Sequence, residues 1–459
     1  MDVIGLAHAL LAKRSPHVCL GIFAGRGVSA KIRAALAAHP PPWQQRASPL
    51  HPVLVTWLQL GMALFRSLSI PNVFAHLMDG LRDLDPGFPL RPVTEGALAH
   101  ARARLGAAPL RALFERMADD VRPGPSFHGL RVWAIDGTVL SVPDTEPNEA
   151  HFGRHVASRG RSAFPQLRLM TLVSALTHQV RAADWCRYDI SEVRAAKPLL
   201  QRMRPGDLLL LDRGLGSIEV ASQLAAQGAK FLYRVRSALK PKVLYERGPG
   251  DCQVLVKVRV KGADGSWRKI VLEARMITYR VDKDETVRLL TNIDDAGVST
   301  MDLARFYHER WEVELGYDEI KTHLGSTAKG TLATTFRGRS GPMVEQEIWA
   351  TLALYNMVRE TMADAGSTHG IDPRRIGFVA ALETVRLAVP RAQGCHPKVV
   401  LARYVQLMGD LADCILDRWR RPRAAPRAVR VKEGKYRSKK PHERCSVVDR
   451  ADSITLGAA

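Results

Sequence analysis

Cysteine is scarce and scattered in this chain. The six in 459 residues (Cys19, Cys186, Cys252, Cys395, Cys414 and Cys445) contain no C-x2-C pair. That excludes a zinc-ribbon spacing and a dense disulfide framework, and makes a reducing cytoplasm the expected compartment. Long apolar runs are missing too. The most apolar stretch, Val53 to Phe65, runs into Arg66 and falls short of the ~20 residues that cross a bilayer. Met1 to Ala12 lacks a basic start and is followed by Lys13-Arg14, so it reads as an amphipathic helix and not as a signal peptide. Acid is in deficit: Asp+Glu number 46 against 67 Lys+Arg, a net charge of +21. Such a balance points to a polyanionic partner, either nucleic acid or an anionic membrane.

The length allows two or three domains with sizeable cores, and no internal repeat is present. Residues 1–125 read as an all-helical N-terminal domain. Apolar-periodic segments near 51–80 and 94–120 are broken by Pro71, Gly80, Pro86 and Pro89, with Thr94 as N-cap of a helix that Gly106 ends. On that helix His100, Arg102 and Arg104 are expected to be exposed, and Arg111 and Arg116 follow on the next. A short helix, a turn and a basic second helix suit DNA reading, and they suit a plain helical bundle equally.

From residue 131 the period changes. Arg131 to Asp136 reads as a strand, Thr138 to Val142 as its hairpin partner, and Gln166 to Leu176 as a third strand. Residues 191–203 read as helix. The run Asp207 to Leu211 reads as a buried parallel strand feeding a helix near 217–227, and ligands gather at the carboxyl end of such strands. These elements make 126–229 the first part of an α/β core. Residues 230–292 turn β-rich, as an insertion with strands at 231–235, 253–260, 269–279 and 286–293. Residues 293–417 return to helix and complete the core. In the tail, 418–459, eleven Lys/Arg fall between Arg418 and Lys440 against one acid, Glu433, with Pro422, Pro426 and Gly434 breaking any helix. Such an arm binds phosphates when nucleic acid is present.

Within the helix expected over 303–324, the pattern Tyr307-x2-Arg310-x3-Glu314-x6-Lys321 places four polar side chains within about 60° of one face. The apolar stripe Phe306, Val313, Tyr317, Ile320 and Leu324 lies beside it, roughly 80° around the axis. Glu314 would sit at a core edge, anchored on one side and open on the other. The same stripe also suits a solvated face whose Arg310/Glu314 pair is worth only a few tenths of a kcal/mol.

Two further acids change that balance. Asp136, before Gly137, and Asp212, before Arg213-Gly214, sit at the middle or end of apolar strands. Each taken alone suits a turn or a cap. Together, buried carboxylates are costly unless a cation pairs them, and three acids brought together repel until a divalent ion relieves them. Oxygen-only ligation favours Mg2+, with Mn2+ as a substitute, over zinc. Arg310 and Lys321 would then hold phosphates beside the reacting bond, and Tyr307 would hydrogen-bond another. Trp311 falls off the core stripe, where an indole can stack on an unpaired base.

The elements Ile135-Asp136-Gly137-Thr138, Leu210-Leu211-Asp212-Arg213-Gly214 and Tyr307-x2-Arg310-x3-Glu314-x6-Lys321 resemble the DDE transposases of bacterial insertion sequences. The likeness is to the YREK-signature group of insertion-sequence-four type and runs from about residue 50 to 440. Phe152-Gly153 and Ala163 to Arg168 also resemble the region after that group's first Asp. The resemblance implies an RNase H-like catalytic core with a β-strand insertion, preceded by an all-helical domain that binds DNA ends and followed by helices and a basic tail. It implies metal-dependent cleavage at terminal inverted repeats of double-stranded DNA and strand transfer into target DNA, by a homodimer in a synaptic complex at the bacterial nucleoid. Asp136, Asp212 and Glu314 become the catalytic, metal-binding triad. Tyr307, Arg310, Trp311 and Lys321 become DNA contacts, with Arg213, Arg102 and Arg104 as further ones. Residues 286–293 carry no Trp where some relatives place one that receives a flipped base, so hairpin and hydrolytic second-strand cleavage both stay open. A transposase-derived DNA-binding protein and a two-metal nuclease without strand transfer are the rival readings.

Overall fold

The computed structural model describes residues 23, 27–42, 50–84, 93–121, 123–124, 126–157, 160–236, 238–261, 265–282, 285–307, 316, 319–320, 336–393 and 395–416. Within the unit 1–419, one sheet of nine strands organises the chain. The strands are β1 (Arg131–Ser141), β4 (Gln166–Ser174), β5 (Val180–Arg187), β6 (Asp207–Leu211), β7 (Lys230–Arg234), β8 (Lys242–Gly248), β9 (Asp251–Lys261), β10 (Trp267–Asp282) and β11 (Glu285–Thr291). Short strands β2 (Val156–Ala157) and β3 (Gly160–Arg161) form a separate ribbon.

The sheet order is β5-β4-β1-β6-β7-β11-β10-β9-β8. β1, β4 and β5 are mutually antiparallel neighbours, whereas β6 lies parallel to β1 and β7 parallel to β6. Three antiparallel strands followed by two parallel ones give the RNase H-like arrangement. The β-rich stretch after β7 shares this sheet: β11 pairs with β7, and β10, β9 and β8 extend it outward as an antiparallel arm.

Thr138 to Val142 does not turn back as the hairpin partner of 131–136. β1 continues straight to Ser141 and pairs with β4 through Leu140↔Leu167 and Ser141↔Gln166. Asp136-Gly137 has turn chemistry, but here Gly137 answers a close approach: a Cβ would lie 2.6 Å from Met170 Sδ. β5 and β8 are strands that the sequence pattern does not announce. β8 has five exposed residues in a row, and β5 is half-buried with no clean alternation, so neither carries a period-2 signal.

β6 is buried at all five positions because helices cover both faces of the sheet. Trp133, Ile135, Leu209, Leu211, Phe231 and Tyr233 form one face, packed under α7 (Glu192–Leu200) and α8 (Ile218–Ala226). Val132, Ala134, Leu208, Leu210, Leu232 and Leu289 form the other. There α9 (Thr300–Tyr307) contributes Leu303 and Tyr307 to the same core.

The helices α1 (Val28–Ala38), α2 (Pro52–Leu64), α3 (Ile70–Leu84), α4 (Glu95–Leu105) and α5 (Ala108–Ala118) precede the sheet, and α6 (Glu146–Phe152) follows β1. Pro71 opens α3 and Gly80 lies inside it, so neither breaks the helix as the sequence suggests. Thr94 does cap α4, its hydroxyl accepting from Ala97 N at 3.2 Å, and Gly106 ends it at φ 71°. The 29-residue α10 (Gly341–His369) shares a core with these N-terminal helices and with Leu167, Leu169, Val173 and Val180 of β4 and β5. α11 (Phe378–Ala392) and α12 (Pro397–Ala412) close the described chain. No described helix is long and apolar enough to cross a membrane.

Candidate active site and nucleic-acid interface

The parallel register of β1 and β6 sets Val132 beside Leu208 and Ala134 beside Leu210. Two residues further along the chain stand Asp136, within β1, and Asp212, one residue past the end of β6. Because side chains alternate across a strand, Asp136 shares the face of Val132 and Ala134. This is the face on which α9 packs. Adjacent parallel strands thus carry the two acids, Asp136 midway along β1 and Asp212 just past the carboxyl end of β6, the end of a parallel strand at which ligands collect in open α/β sheets. Both are half-buried.

Asp212 shapes its own loop. Its Oδ1 accepts from Gly214 N at 3.0 Å and Leu215 N at 2.7 Å, while its carbonyl accepts from Gly216 N at 2.9 Å. A Cβ on Gly216 would meet the Tyr233 ring at 2.2 Å and the Asp212 carbonyl at 2.8 Å, so the turn needs glycine there. Oδ2 receives no donor among the described residues, and a Cβ on Gly214 would crowd it at 3.2 Å. Asp136 Oδ1 accepts from Gly137 N at 2.7 Å. The donor set is thus carboxylate oxygen held by backbone, which fits a hard divalent cation. Among the described residues no group of three His, Cys, Asp or Glu forms a complete metal site. Glu314, the expected third ligand, lies outside them, as do Arg310, Trp311 and Lys321. Arg213, beside Asp212, is exposed.

Two expected DNA contacts are placed otherwise. Tyr307 is buried, with 8% of its surface exposed, and its hydroxyl donates to the Leu211 carbonyl at 3.2 Å. The phenol belongs to the apolar stripe with Leu303 and not to an open polar one. Arg102, expected on the surface of α4, is 1% exposed. Its Nη2 binds Glu347 Oε1 of α10 at 2.7 Å, with Arg66 Nη1 3.7 Å from the other oxygen. Leu98, Ala101, Arg102 and Leu105 form the buried face of α4, so the i, i+3, i+4, i+7 spacing carried the signal. Arg104 and His100 are exposed on the opposite side.

Sequence reasoning missed a buried cluster that joins α10 to the turn between β4 and β5. Glu319 accepts from Tyr355 Oη at 2.8 Å and from Arg359, whose Nε lies 3.1 Å away. Arg359 Nη2 also meets His178 Nδ1 at 2.6 Å. Burial alone would raise the Glu319 pKa, but the Arg359 charge and the His178 contact hold it at about 2. Only the acid's position five residues after Glu314 is visible in the sequence.

The arm beyond β11 offers an electropositive face. Ile277 of β10 lies in the α9-side core, so Lys269 and Trp267, an even number of residues away, share its side of the sheet. Lys269 pairs in register with Arg259, and Val271 with Lys257. Lys257, Arg259, Trp267 and Lys269 are all exposed. Cations alternating with an indole suit a phosphate backbone.

The Transposase DDE domain matches residues 127–357, and the Insertion element 4 transposase N-terminal domain matches residues 31–115. The chain is 30% identical over 406 residues to Transposase InsG for insertion sequence element IS4 of Escherichia coli (strain K12), covering 86% of this chain and 88% of that protein. It is 28% identical over 141 residues to Putative transposase InsZ of the same strain, covering 30% of this chain and 47% of that one. A solved piggyBac transposase synaptic complex with hairpin DNA is similar over 85% of each chain, at 12% identity and a TM-score of 0.40. The chain is a DDE-type DNA transposase with an RNase H-like core, an enzyme that binds DNA and uses a divalent metal. The chain belongs to the insertion-sequence-four (IS4) family.

Proposed function

We propose that the chain carries out cut-and-paste transposition of an insertion sequence: Mg2+-dependent cleavage at the terminal inverted repeats, then strand transfer into target DNA. One observation supports the reading: the parallel register of β1 and β6 runs to Ala134 beside Leu210, and Asp136 and Asp212 each follow two residues later in the chain. Glu314, after α9 in the chain, completes the oxygen ligand set. When bound, Mg2+ or Mn2+ supplies Lewis acidity to the scissile phosphodiester and to the attacking water or 3′-hydroxyl. The chain's own part is to hold Asp136 by its strand, to fix Asp212 by the Gly214 and Leu215 amides, and to grip the DNA. Arg213, Arg310 and Lys321 take phosphates near the reacting bond, Trp311 stacks on an unpaired base, and Arg104 contacts DNA from α4. Lys257, Arg259 and Lys269 follow the duplex along the arm. Two copies bring the element's ends together, in the cytoplasm at the nucleoid.

The test is incubation of the purified protein with its own element's end DNA, with Mg2+ or with EDTA, resolved on a denaturing gel. Nicks at the element boundary only with metal, followed by joined products, are expected. Tight binding without cleavage in Mg2+ or Mn2+ would favour a transposase-derived DNA-binding protein. Cleavage without joining of pre-cut ends would favour a nuclease.

A further inference from the structure

The turn that carries Asp212 is shaped from beneath as well as from within. It runs from the end of β6 to Ser217, whose hydroxyl caps α8 by accepting from Val220 N at 3.2 Å, so both of its ends are fixed. β6 and β7 pair with Leu211 beside Tyr233. The Tyr233 ring, 2% exposed, lies on the face of the sheet that α7 and α8 cover, and Leu215 of the turn is buried in the same core. Gly216 sits directly against the ring: a Cβ there would come within 2.2 Å of Cδ2 and 2.8 Å of Cγ. Gly216 does not hold a left-handed φ, so the contact, and not backbone freedom, demands glycine. Its amide donates to the Asp212 carbonyl at 2.9 Å, while the Gly214 and Leu215 amides donate to Oδ1. The ring thus supports the peptide units whose amides orient the carboxylate.

We propose that Tyr233 and Gly216 are positioning residues: the ring and the residue without a side chain fit together to set the Asp212 turn, so that Oδ2 is presented to the divalent cation. This rests on Asp212 being a metal ligand. Its carboxylate is held by backbone amides of its own turn, so its orientation follows the turn, and the turn follows the ring. Ring carbons make the contact with Gly216, so phenylalanine would serve there as tyrosine does. A ring that only fills the core would affect stability and leave metal affinity alone. Phe231, two residues earlier on the same face of β7, is such a ring.

The test uses full-length Gly216→Ala, Tyr233→Leu and Tyr233→Phe, with Phe231→Leu as the core control and Asp212→Ala as reference. Mn2+ affinity is measured calorimetrically on protein bound to a pre-cut DNA end, beside DNA affinity and melting temperature. Gly216→Ala and Tyr233→Leu should each weaken Mn2+ roughly tenfold or more, as loss of a group that orients a metal ligand does. Tyr233→Phe should bind Mn2+ as the wild type does. Phe231→Leu should lower the melting temperature with Mn2+ affinity unchanged, and DNA affinity should hold throughout. If Gly216→Ala fails to fold, the two Tyr233 variants and the control decide. Unchanged Mn2+ affinity in folded Tyr233→Leu, with Asp212→Ala impaired, would overturn the positioning role. Equal losses in Tyr233→Leu and Phe231→Leu would overturn it too. Unchanged affinity in Asp212→Ala would instead remove the ligand assignment beneath it.

Discussion

The five-residue strand β6 carries an aspartate at its amino end and another follows its carboxyl end, and the two are treated in opposite ways. Asp207 is fully buried. It accepts from Arg131 Nε at 2.7 Å, Arg181 Nη1 at 3.0 Å and Arg204 N at 2.9 Å. Asp212 is half-buried, and its carboxylate partners among the described residues are two amides on one oxygen. A buried carboxylate must be compensated. The fold compensates Asp207 with guanidinium groups, and holds Asp212 by backbone amides alone among the described residues. Four leucines separate the two acids; in the proposed function the first is structural and the second binds metal.

Substitution at the two ends should separate these roles, and the largest effect is catalytic. Asp212→Ala or Asp136→Ala should cut nicking of end DNA about a thousandfold or more, since several kcal/mol of charge stabilisation depends on the bound ion. DNA affinity should stay near wild type; a fully active variant would sink the triad. Asp207→Ala should do the reverse. Leaving Arg131 and Arg181 without their acid should cost about 3–5 kcal/mol in urea unfolding, with the cleavage rate per folded molecule preserved.

The same contrast applies on α4, where Arg102 is structural and Arg104 is on the surface. Arg102→Ala removes the guanidinium nearest to buried Glu347, leaving Arg66 and the Arg337 amide, and should destabilise the chain by about 3 kcal/mol. Arg104→Ala should leave stability within about 0.5 kcal/mol and weaken DNA binding instead. Equal stability of the two variants would contradict the burial of Arg102.

These pairs also show what the sequence reveals. The leucine run ending at Asp212 announces a buried strand because it is short and bounded by Pro205-Gly206 on one side and Gly214 on the other. Thr94 and Gly106 mark α4 because capping is local chemistry. Asp136-Gly137 misleads because its turn signal is equally local, whereas its extended form is set by pairing with β4, about 35 residues on. Arg102 and Tyr307 look like surface groups by residue type, although their spacing from Leu98 and Leu303 puts them inside. Partners such as Arg359 and His178 are distant in sequence, and no local pattern joins them to Glu319.

Acid should weaken the Glu319–Arg359 cluster. Glu319 titrates at about 2, against an ordinary 4.5. A depressed folded-state pKa gives stability that is complete above the unfolded value and is lost as pH falls toward the folded one. About 2 kcal/mol should disappear between about pH 5 and pH 3, measured as the difference between wild type and Glu319→Gln in urea. Parallel acid curves would show that the pair contributes nothing.

The smallest effect concerns the tail, 418–459, whose residues lie outside those described. Its deletion should weaken binding to all DNA sequences alike. It should also flatten the salt dependence by roughly 0.9 log units for each phosphate that the arm no longer neutralises. An unchanged slope would show that the arm does not touch DNA.

The most direct test of the central claim is to locate Mn2+ by anomalous diffraction in crystals of the protein bound to its element's end DNA. The account predicts a peak between the carboxylates of Asp136 and Asp212, with Glu314 as a further ligand. A Mn2+ peak elsewhere with none at that pair, in a complex that still cleaves, would contradict it.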